Sequence, residues 1–569
     1  MMTSMSDKGR IEYSTETFIQ EFNKISRGLI ELGVQPGDKI ALISHNNRCE
    51  WNVMDHGILQ VGAVNVPIYP TMTPEDYEYI LNHSEAKYCF VSNEDLYRKV
   101  QSVKYNTPHL KEVYTFENVK GGKSWQEIIQ LGEDVKHQAQ VDRIKDSIDK
   151  MDMATIIYTS GTTGLPKGVM LTHNNIASNA LASCERLPSL QDQEYRALSF
   201  LPVCHIYERM LHYLYIYKGA KIFFAESLET IKEDLILAQP HVFSAVPRLL
   251  EKFFDGITSK GGAAGGVKKL IFSWAVGLAL KWQPEGENGS WYQFKLKLAD
   301  KLVFSKVRDA LGLSNIMAVA SGSAALQPRL AQFFNGAKIP ICEGYGLTET
   351  SPVVSVNATL KPNLIKIGSV GHLIKDVEVK IASDGELLVK GPNVMMGYYK
   401  DVEKTNEVLK DGWFHTGDIG EFDGEFLRIT DRKKEMFKTS GGKYVAPQLI
   451  ENAMKSSPFI EQIMVIGEGK KHPSALIVPS FEGMKKWCKK HKIPYSNDKD
   501  MLNNKELLER MQADVDRING QFSKWEQIKK VQFLEEVFSV DGGELTPTLK
   551  LKRKPILKKY ADIVESIYD

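Results

Sequence analysis

The chain has 569 residues, 43% of them hydrophobic and 25% charged, and its 72 Lys and Arg balance 71 Asp and Glu to a net charge of +1. This is the composition of a folded protein of several domains. It excludes a disordered chain and gives nucleic acid no global basic field to follow. Cys49, Cys89, Cys184, Cys204, Cys342 and Cys488 are widely spaced and form no CxxC pair, so neither a zinc site nor a disulfide framework is expected, and a reducing compartment is. Residues 1–10 are polar and lack the apolar core of a signal peptide. The longest apolar run, residues 270–280, is about half the length of a spanning helix. A cytoplasmic chain is expected, with no more than peripheral contact with the inner face of a membrane.

In chain order, Phe18, Phe22, Ile25, Leu29 and Leu32 recur at helical steps and predict an amphipathic helix that ends at Gly33. Residues 39–44 predict a buried strand, 51–61 a helix, 63–68 a strand, 75–82 a helix and 88–91 a strand. Strands are again predicted at 154–158, 197–200, 221–224, 242–245 and 316–320. Alternating strands and helices point to an α/β fold with a parallel sheet covered on both faces. Residues 261–266, Gly-Gly-Ala-Ala-Gly-Gly, predict a flexible loop. Past Pro362, short strands at 377–381, 386–390 and 426–430 are parted by Asp384-Gly385 and Asp423-Gly424, the turn pairs of hairpins, and predict a small antiparallel unit. After Asp431 a further set begins, with a helix near 447–455, strands at 462–466 and 475–478, and a helix near 505–522. The expected organisation is a large domain over 1–431, with a β subdomain at about 362–430, and a smaller α+β domain over 432–569.

The most informative segment is Tyr158-Thr-Ser-Gly-Thr-Thr-Gly-Leu-Pro-Lys-Gly168. A buried strand runs into a loop whose glycines let backbone amides approach a phosphate, whose hydroxyls add donors, and whose Lys167 adds charge. It is not a Walker A loop, because the lysine stands between Pro166 and Gly168 instead of before Ser or Thr.

With this loop, the chain resembles the acyl-adenylate-forming synthetases and ligases. Glu343-Gly-Tyr-Gly-Leu-Thr-Glu-Thr350 resembles that family's adenine and magnesium segment. His415-Thr-Gly-Asp-Ile-Gly420 resembles its ribose segment, and Asp431-Arg-Lys-Lys-Glu-Met-Phe-Lys-Thr-Ser-Gly-Gly-Lys443 its hinge and CoA segment. The motifs keep the family's order and cover roughly residues 20–555. Leu201-Pro-Val-Cys-His-Ile-Tyr-Glu-Arg209 and Leu545-Thr-Pro-Thr-Leu-Lys-Leu-Lys-Arg553 are most similar to bacterial long-chain fatty acyl-CoA synthetases.

The resemblance implies a large N-terminal domain of mixed and parallel sheets flanked by helices, and a mobile C-terminal domain. It implies ATP, Mg²⁺ and coenzyme A, with a long-chain fatty acid as the substrate. A fatty carboxylate would attack the α-phosphorus of ATP and expel pyrophosphate, and CoA would then displace AMP. By resemblance Thr159, Ser160, Gly161, Thr162, Thr163, Gly164 and Lys167 embrace the outer phosphates, and Thr159 stands with Glu349 at the metal. Thr348 binds the α-phosphate. Gly322, Ser323, Ala324, Glu343, Gly344, Tyr345 and Gly346 line the adenine pocket. Asp418 holds the ribose hydroxyls, with Arg432 in support, while Ser440, Gly441 and Gly442 take the pantetheine arm. Lys434 is the hinge. His205 stands beside the substrate carboxylate, and Lys550 is the catalytic lysine that bridges carboxylate and α-phosphate. The chain has Thr-Leu before Lys550 where the family more often has Ser-Gly, which leaves Lys552 as a rival.

Two further readings concern partners. Residues 270–280 are flanked by Lys268, Lys269 and Lys281 and followed by Lys295, Lys297, Lys301, Lys306 and Arg308. Residues 268–308 therefore predict either a peripheral membrane contact or a helix packed into the large domain. A homodimer is the second expectation, weakened by the short lead before the first helix. The alternatives to a long-chain ligase are a ligase of the same superfamily for a medium-chain or aromatic acid, and an ADP-forming phosphotransferase. The absence of Walker and kinase motifs from the sequence opposes the latter.

Overall fold

Strands buried along their whole length, such as Val64–Ile68 and Tyr88–Val91, require a sheet covered on both faces. The computed structural model places them in one. It describes residues 1–4, 10–159, 165–190, 194–227, 229–263, 265–284, 287–359, 364–539, 542–545 and 550–569.

The chain divides into two compact units. One comprises Met1–Lys380, Leu388–His415 and Phe422–Leu427, and the other Ile381–Leu387, Thr416–Glu421 and Arg428–Asp569. Among the described residues of the first unit, one sheet has Lys39–Ile43 parallel to both Val64–Ile68 and Tyr88–Val91, with Glu112–Thr115 parallel beyond. Its other side continues through Met153–Thr159 to the antiparallel Lys167–Thr172. The second sheet is a parallel run of Lys221–Phe224, Arg196–Ser199, Val242–Ala245, Ala318–Ser321 and Ile341–Gly346, extended antiparallel by Val353–Val356. Met2–Ser4 joins its far side, parallel to Lys221–Phe224. That strand lies in a stretch too polar to signal one.

One hydrophobic core spans residues of both sheets together with the helices Thr15–Glu31, Cys49–Gln60 and Ile206–Tyr217. Inside it Arg209 and Asp55 form an ion pair with side chains 0% and 1% exposed. Arg209 Nη1 also donates to Thr155 Oγ1 at 2.7 Å, and Asn65 Nδ2 and the Tyr213 hydroxyl both donate to the Asp55 carboxylate. A buried charge persists only when paired and hydrogen-bonded in this way. The network clamps the two helices to the strands Val64–Ile68 and Met153–Thr159.

The predicted loop at 261–266 is corrected in part. The helix Pro247–Gly262 runs through Gly261 and Gly262, and a new helix starts at Gly266. Leu250, Phe254 and Ile257 anchor the first of these in the core, which outweighs the low helix propensity of its last residues.

A further sheet contains Glu378–Ile381, Glu386–Lys390, Trp413–Asp423, Leu409–Lys410 and Phe426–Arg432, with Leu409–Lys410 antiparallel to Trp413–Asp423. The longest of these, Trp413–Asp423, carries Gly417 and Gly420, which interrupt the strand pattern in sequence. In the second unit Ile460–Ile466 pairs antiparallel with Ser474–Pro479, and Lys530–Phe533 lies parallel beyond it. The helices Pro447–Met454 and Lys505–Asn519 pack on this sheet through Ile450, Met454, Val515 and Ile518. Among the described residues no helix is long and apolar enough to cross a membrane.

Candidate active site

The Gly/Thr-rich segment belongs to a hairpin. Met153–Thr159 and Lys167–Thr172 pair antiparallel, with Thr159 directly opposite Lys167. Ser160, Gly161, Thr162, Thr163 and Gly164, between these two ends, lie outside the described residues. The stem is firmly held. The Tyr158 hydroxyl is 2.8 Å from His83 Nδ1, and a Cβ at Gly168 would come within 2.7 Å of the Ile156 side chain, so only glycine fits opposite Tyr158.

Gly397–Tyr398 adds a short strand to Lys167–Thr172. From it the Tyr398 hydroxyl donates to Glu349 Oε1 at 2.9 Å, and the Tyr398 ring lies 5.1 Å from Lys167 Nζ. Burial, and then the Glu349 carboxylate, push the Tyr398 phenol above its ordinary range, so it stays a proton donor at neutral pH. Tyr398 thus stands between the two charged residues that the sequence singles out. The turn Thr348–Thr350 is fixed from the same side. Met395 N donates to Glu349 O at 2.9 Å, and Asn393 Nδ2 donates to Thr350 O at 2.9 Å. Neither Tyr398 nor Asn393 carried a sequence signal, because each lies outside the four recognisable motifs.

A second group forms where Ala318–Ser321 runs parallel to Ile341–Gly346, with Ser321 opposite Glu343. Glu343 is buried and its Oε1 accepts from Leu326 N at 2.9 Å, which ties the backbone after Gly322, Ser323 and Ala324 to the strand that bears Gly344, Tyr345 and Gly346. Burial pushes the Glu343 carboxyl up to about 7. Gly346 has no room for a side chain: a Cβ there would sit 1.9 Å from Pro352 O. Gly322 packs on the ring of Tyr207, whose hydroxyl donates to Ala320 O at 2.9 Å. Tyr207 lies in the first turn of the helix Ile206–Tyr217. His205 caps that helix, its Nδ1 accepting from Tyr207 N at 3.1 Å. One helix start therefore links His205 to the Gly322 segment.

In the second unit Arg432 Nε is 3.3 Å from Asp418 Oδ1, so these two expected ribose residues are neighbours. Asp418 N donates to Thr416 Oγ1 and Gly417 N to Glu386 Oε1, while Lys433 pairs with Asp384 and Glu386. Asp431 is buried, its Oδ2 accepts from Gln448 N at 3.2 Å, and burial pushes its carboxyl up to about 7. Lys434 is exposed in a turn closed by the bonds of Glu435 N and Met436 N to Arg432 O. Ser440, Gly441 and Gly442 form the tip of the hairpin Phe437–Lys438/Tyr444–Val445. Lys550 is exposed.

Shortly beyond Lys550, Arg553 Nη1 donates to Val465 O at 2.9 Å, Nε lies 3.3 Å from Glu435 Oε2, and its other nitrogen pairs with Glu451. The chain end that bears Lys550 is thereby tied to the residue next to Lys434. In sequence Arg553 is indistinguishable from the solvated basic run around it.

Residues 3–399 match the family described as AMP-binding enzyme, and residues 435–569 match the AMP-binding enzyme C-terminal domain. The chain belongs to the AMP-binding enzyme family. The long-chain-fatty-acid–CoA ligase FadD15 of Mycobacterium bovis is 37% identical over 95% of this chain and 90% of its own. The long-chain-fatty-acid–CoA ligase ACSBG2 of Xenopus laevis is 32% identical over 98% of this chain and 79% of its own. Among solved structures, the adenylation domain of a carboxylate reductase from Mycobacterium chelonae superposes with a TM-score of 0.73 at 20% identity, over all of this chain and 88% of that one. A fatty acyl CoA synthetase of Mycobacterium tuberculosis gives 0.61 at 20% identity, over 99% and 95%. These two structures bear on the fold, which is that of the AMP-binding adenylation enzymes.

Proposed function

We propose that this AMP-binding enzyme is an AMP-forming long-chain fatty acid–CoA ligase. The observation that carries the reading is Tyr398 bonded to Glu349 with its ring beside Lys167, next to the ends of the hydroxyl-rich loop. A fixed carboxylate and a fixed ammonium at such a loop suit a polyphosphate. The names of relatives that match nearly the whole chain support the choice of acid and thiol.

In the first half-reaction a carboxylate oxygen of the fatty acid attacks the α-phosphorus of ATP, and the bond to the bridging oxygen breaks to release pyrophosphate. A carboxylate is already ionised at neutral pH, so no general base is needed. The task of the protein is to position two anions and neutralise charge. In this reading Thr159, Ser160, Gly161, Thr162, Thr163, Gly164 and Lys167 hold the outer phosphates and Thr348 the α-phosphate. The segments at 322–324 and 343–346 hold adenine, and Asp418 with Arg432 holds the ribose. His205 and Lys550 orient the carboxylate. The donor set suits Mg²⁺, since Glu349 offers a hard oxygen that Tyr398 orients and Thr159 a hydroxyl. When bound, the ion offsets phosphate charge. In the second half-reaction the CoA sulfur attacks the acyl carbon and AMP leaves with the acyl oxygen. Lys434 serves as the pivot that exchanges Lys550 for the Ser440, Gly441 and Gly442 tip.

Chain length tests the choice of acid. Each buried methylene contributes about 0.8 kcal/mol, so kcat/KM should rise from octanoate to palmitate. A higher value for acetate or benzoate than for palmitate would overturn the long-chain reading.

A further inference from the structure

Glu349 is gripped twice from one segment. Met395 N donates to its backbone carbonyl and the Tyr398 hydroxyl to its Oε1, each at 2.9 Å. Tyr398 cannot follow a carboxylate that turns away. Tyr398 is strand-paired opposite Val169 and Gly397 opposite Met170, and Tyr398 N donates to Thr405 Oγ1 at 2.8 Å. The residue is 6% exposed, and burial keeps its hydroxyl protonated at neutral pH. The donor therefore stays in place and stays a donor. Lys167–Thr172 also pairs with Met153–Thr159, so Tyr398, Lys167 and Thr159 share one ladder. The Glu349 side chain is registered to that ladder through one O–H.

A carboxylate held in this way has one mode of binding a cation that gives up nothing: Oε2 takes the ion while Oε1 keeps Tyr398. To chelate with both oxygens, it has to share or release the one that Tyr398 holds. That penalty falls unequally on two divalent cations. Ca²⁺ gathers about six to eight oxygens in a flexible shell and takes both oxygens of one carboxylate readily. Mg²⁺ is smaller and demands a near-ideal octahedron, which the narrow bite of a two-oxygen carboxylate fits poorly. A partner that orients a ligating carboxylate also matters for affinity, since its removal typically costs about 10–100-fold.

We infer that Tyr398 is a positioning residue that sets the choice of metal: by holding Glu349 Oε1 it presents Oε2 to a divalent cation and favours Mg²⁺ over Ca²⁺. The inference rests on the reading of Glu349 as the metal residue, and the test separates the two. Lys167 Nζ lies 5.1 Å from the Tyr398 ring. Replacement by Phe keeps that ring and its packing and removes the O–H alone.

The test is calorimetric titration of the full chain with ATP in excess MgCl₂ and, separately, in excess CaCl₂. Fatty acid and CoA are left out, so binding is read without turnover. The readout is the ratio of the two dissociation constants, with the Tm of each chain measured alongside. The wild-type chain should bind the Mg²⁺ complex more tightly. Tyr398→Phe should weaken the Mg²⁺ complex about tenfold and the Ca²⁺ complex less, so that the preference falls at least about threefold. A general loosening of the site would weaken both complexes alike, so an unchanged ratio overturns the inference. Equal binding of the two complexes by the wild-type chain also overturns it. Glu349→Gln tests the reading beneath and should remove the preference in both the wild-type and the Tyr398→Phe backgrounds. The wild-type ratio in Glu349→Gln would overturn the assignment of the metal to Glu349 and the inference with it. The wild-type ratio in Tyr398→Phe, with the preference lost in Glu349→Gln, overturns the inference alone.

Discussion

Two Asp–Arg pairs in this chain have opposite characters. Asp55 and Arg209 are sealed in the core of the first unit, where Thr155 accepts from Arg209 and Asn65 and Tyr213 donate to Asp55. Asp418 and Arg432, in the second unit, lie 3.3 Å apart, with side chains 6% and 37% exposed. The first pair is saturated and leaves nothing for a ligand. The second is open to water on its arginine side, and in our reading its carboxylate accepts from the two ribose hydroxyls. Identical residue types thus serve stability in one place and, in our reading, binding in the other. What separates them is the exposure of the arginine.

Substitutions sharpen this contrast. Arg209→Met removes one member of the sealed pair and leaves the Asp55 charge buried. It should destabilise the first unit by about 3–5 kcal/mol, read as a lower midpoint in urea. A midpoint unchanged from wild type would mean that the network is not what clamps the two helices.

Lys550→Ala is the converse case, an exposed residue whose loss should leave Tm unaltered. It should slow acyl-adenylate formation about 10²–10³-fold, while conversion of supplied acyl-AMP and CoA to thioester survives better. If Lys552→Ala shows the large loss and Lys550→Ala does not, the catalytic role passes to Lys552.

Asp418→Asn should have the smallest effect of the three. Hydrogen bonds to a charged group contribute about 1.5–3 kcal/mol, so KM for ATP should rise roughly tenfold or more with Tm unchanged. A fall in Tm with KM intact would place Asp418 with Asp55 as a structural residue.

Much of the contrast is legible in the sequence. The loop, the Glu343–Thr350 segment and the Asp418 and Asp431 segments stand out because unusual residues cluster within a few positions. The parallel strands show as short Val, Ile and Phe runs such as 64–68 and 88–91. What stayed hidden depends on contacts between distant segments. Tyr398 is one tyrosine among 22 until Glu349, 49 positions away, meets its hydroxyl. Arg553 is part of a basic run until Glu435 and Glu451 close around it. Asp55 lies in an ordinary helical pattern, and its partner Arg209 is 154 positions downstream. Met2–Ser4 forms a strand only because Lys221–Phe224 presents an edge to it. Leu270 and Trp291, both exposed on their helices, could not be told from core residues, since helical spacing alone does not say which apolar face is covered.

The central proposal is that a carboxylate oxygen ends up on AMP. Palmitate carrying ¹⁸O in its carboxyl group, incubated with the enzyme, ATP, Mg²⁺ and CoA, tests this directly by mass spectrometry of the nucleotide. Attack on the α-phosphorus followed by displacement at the acyl carbon should leave one ¹⁸O in each AMP formed and none in pyrophosphate. Label recovered in inorganic phosphate, with ADP as the nucleotide product, would contradict an AMP-forming ligase and establish transfer of the terminal phosphate instead.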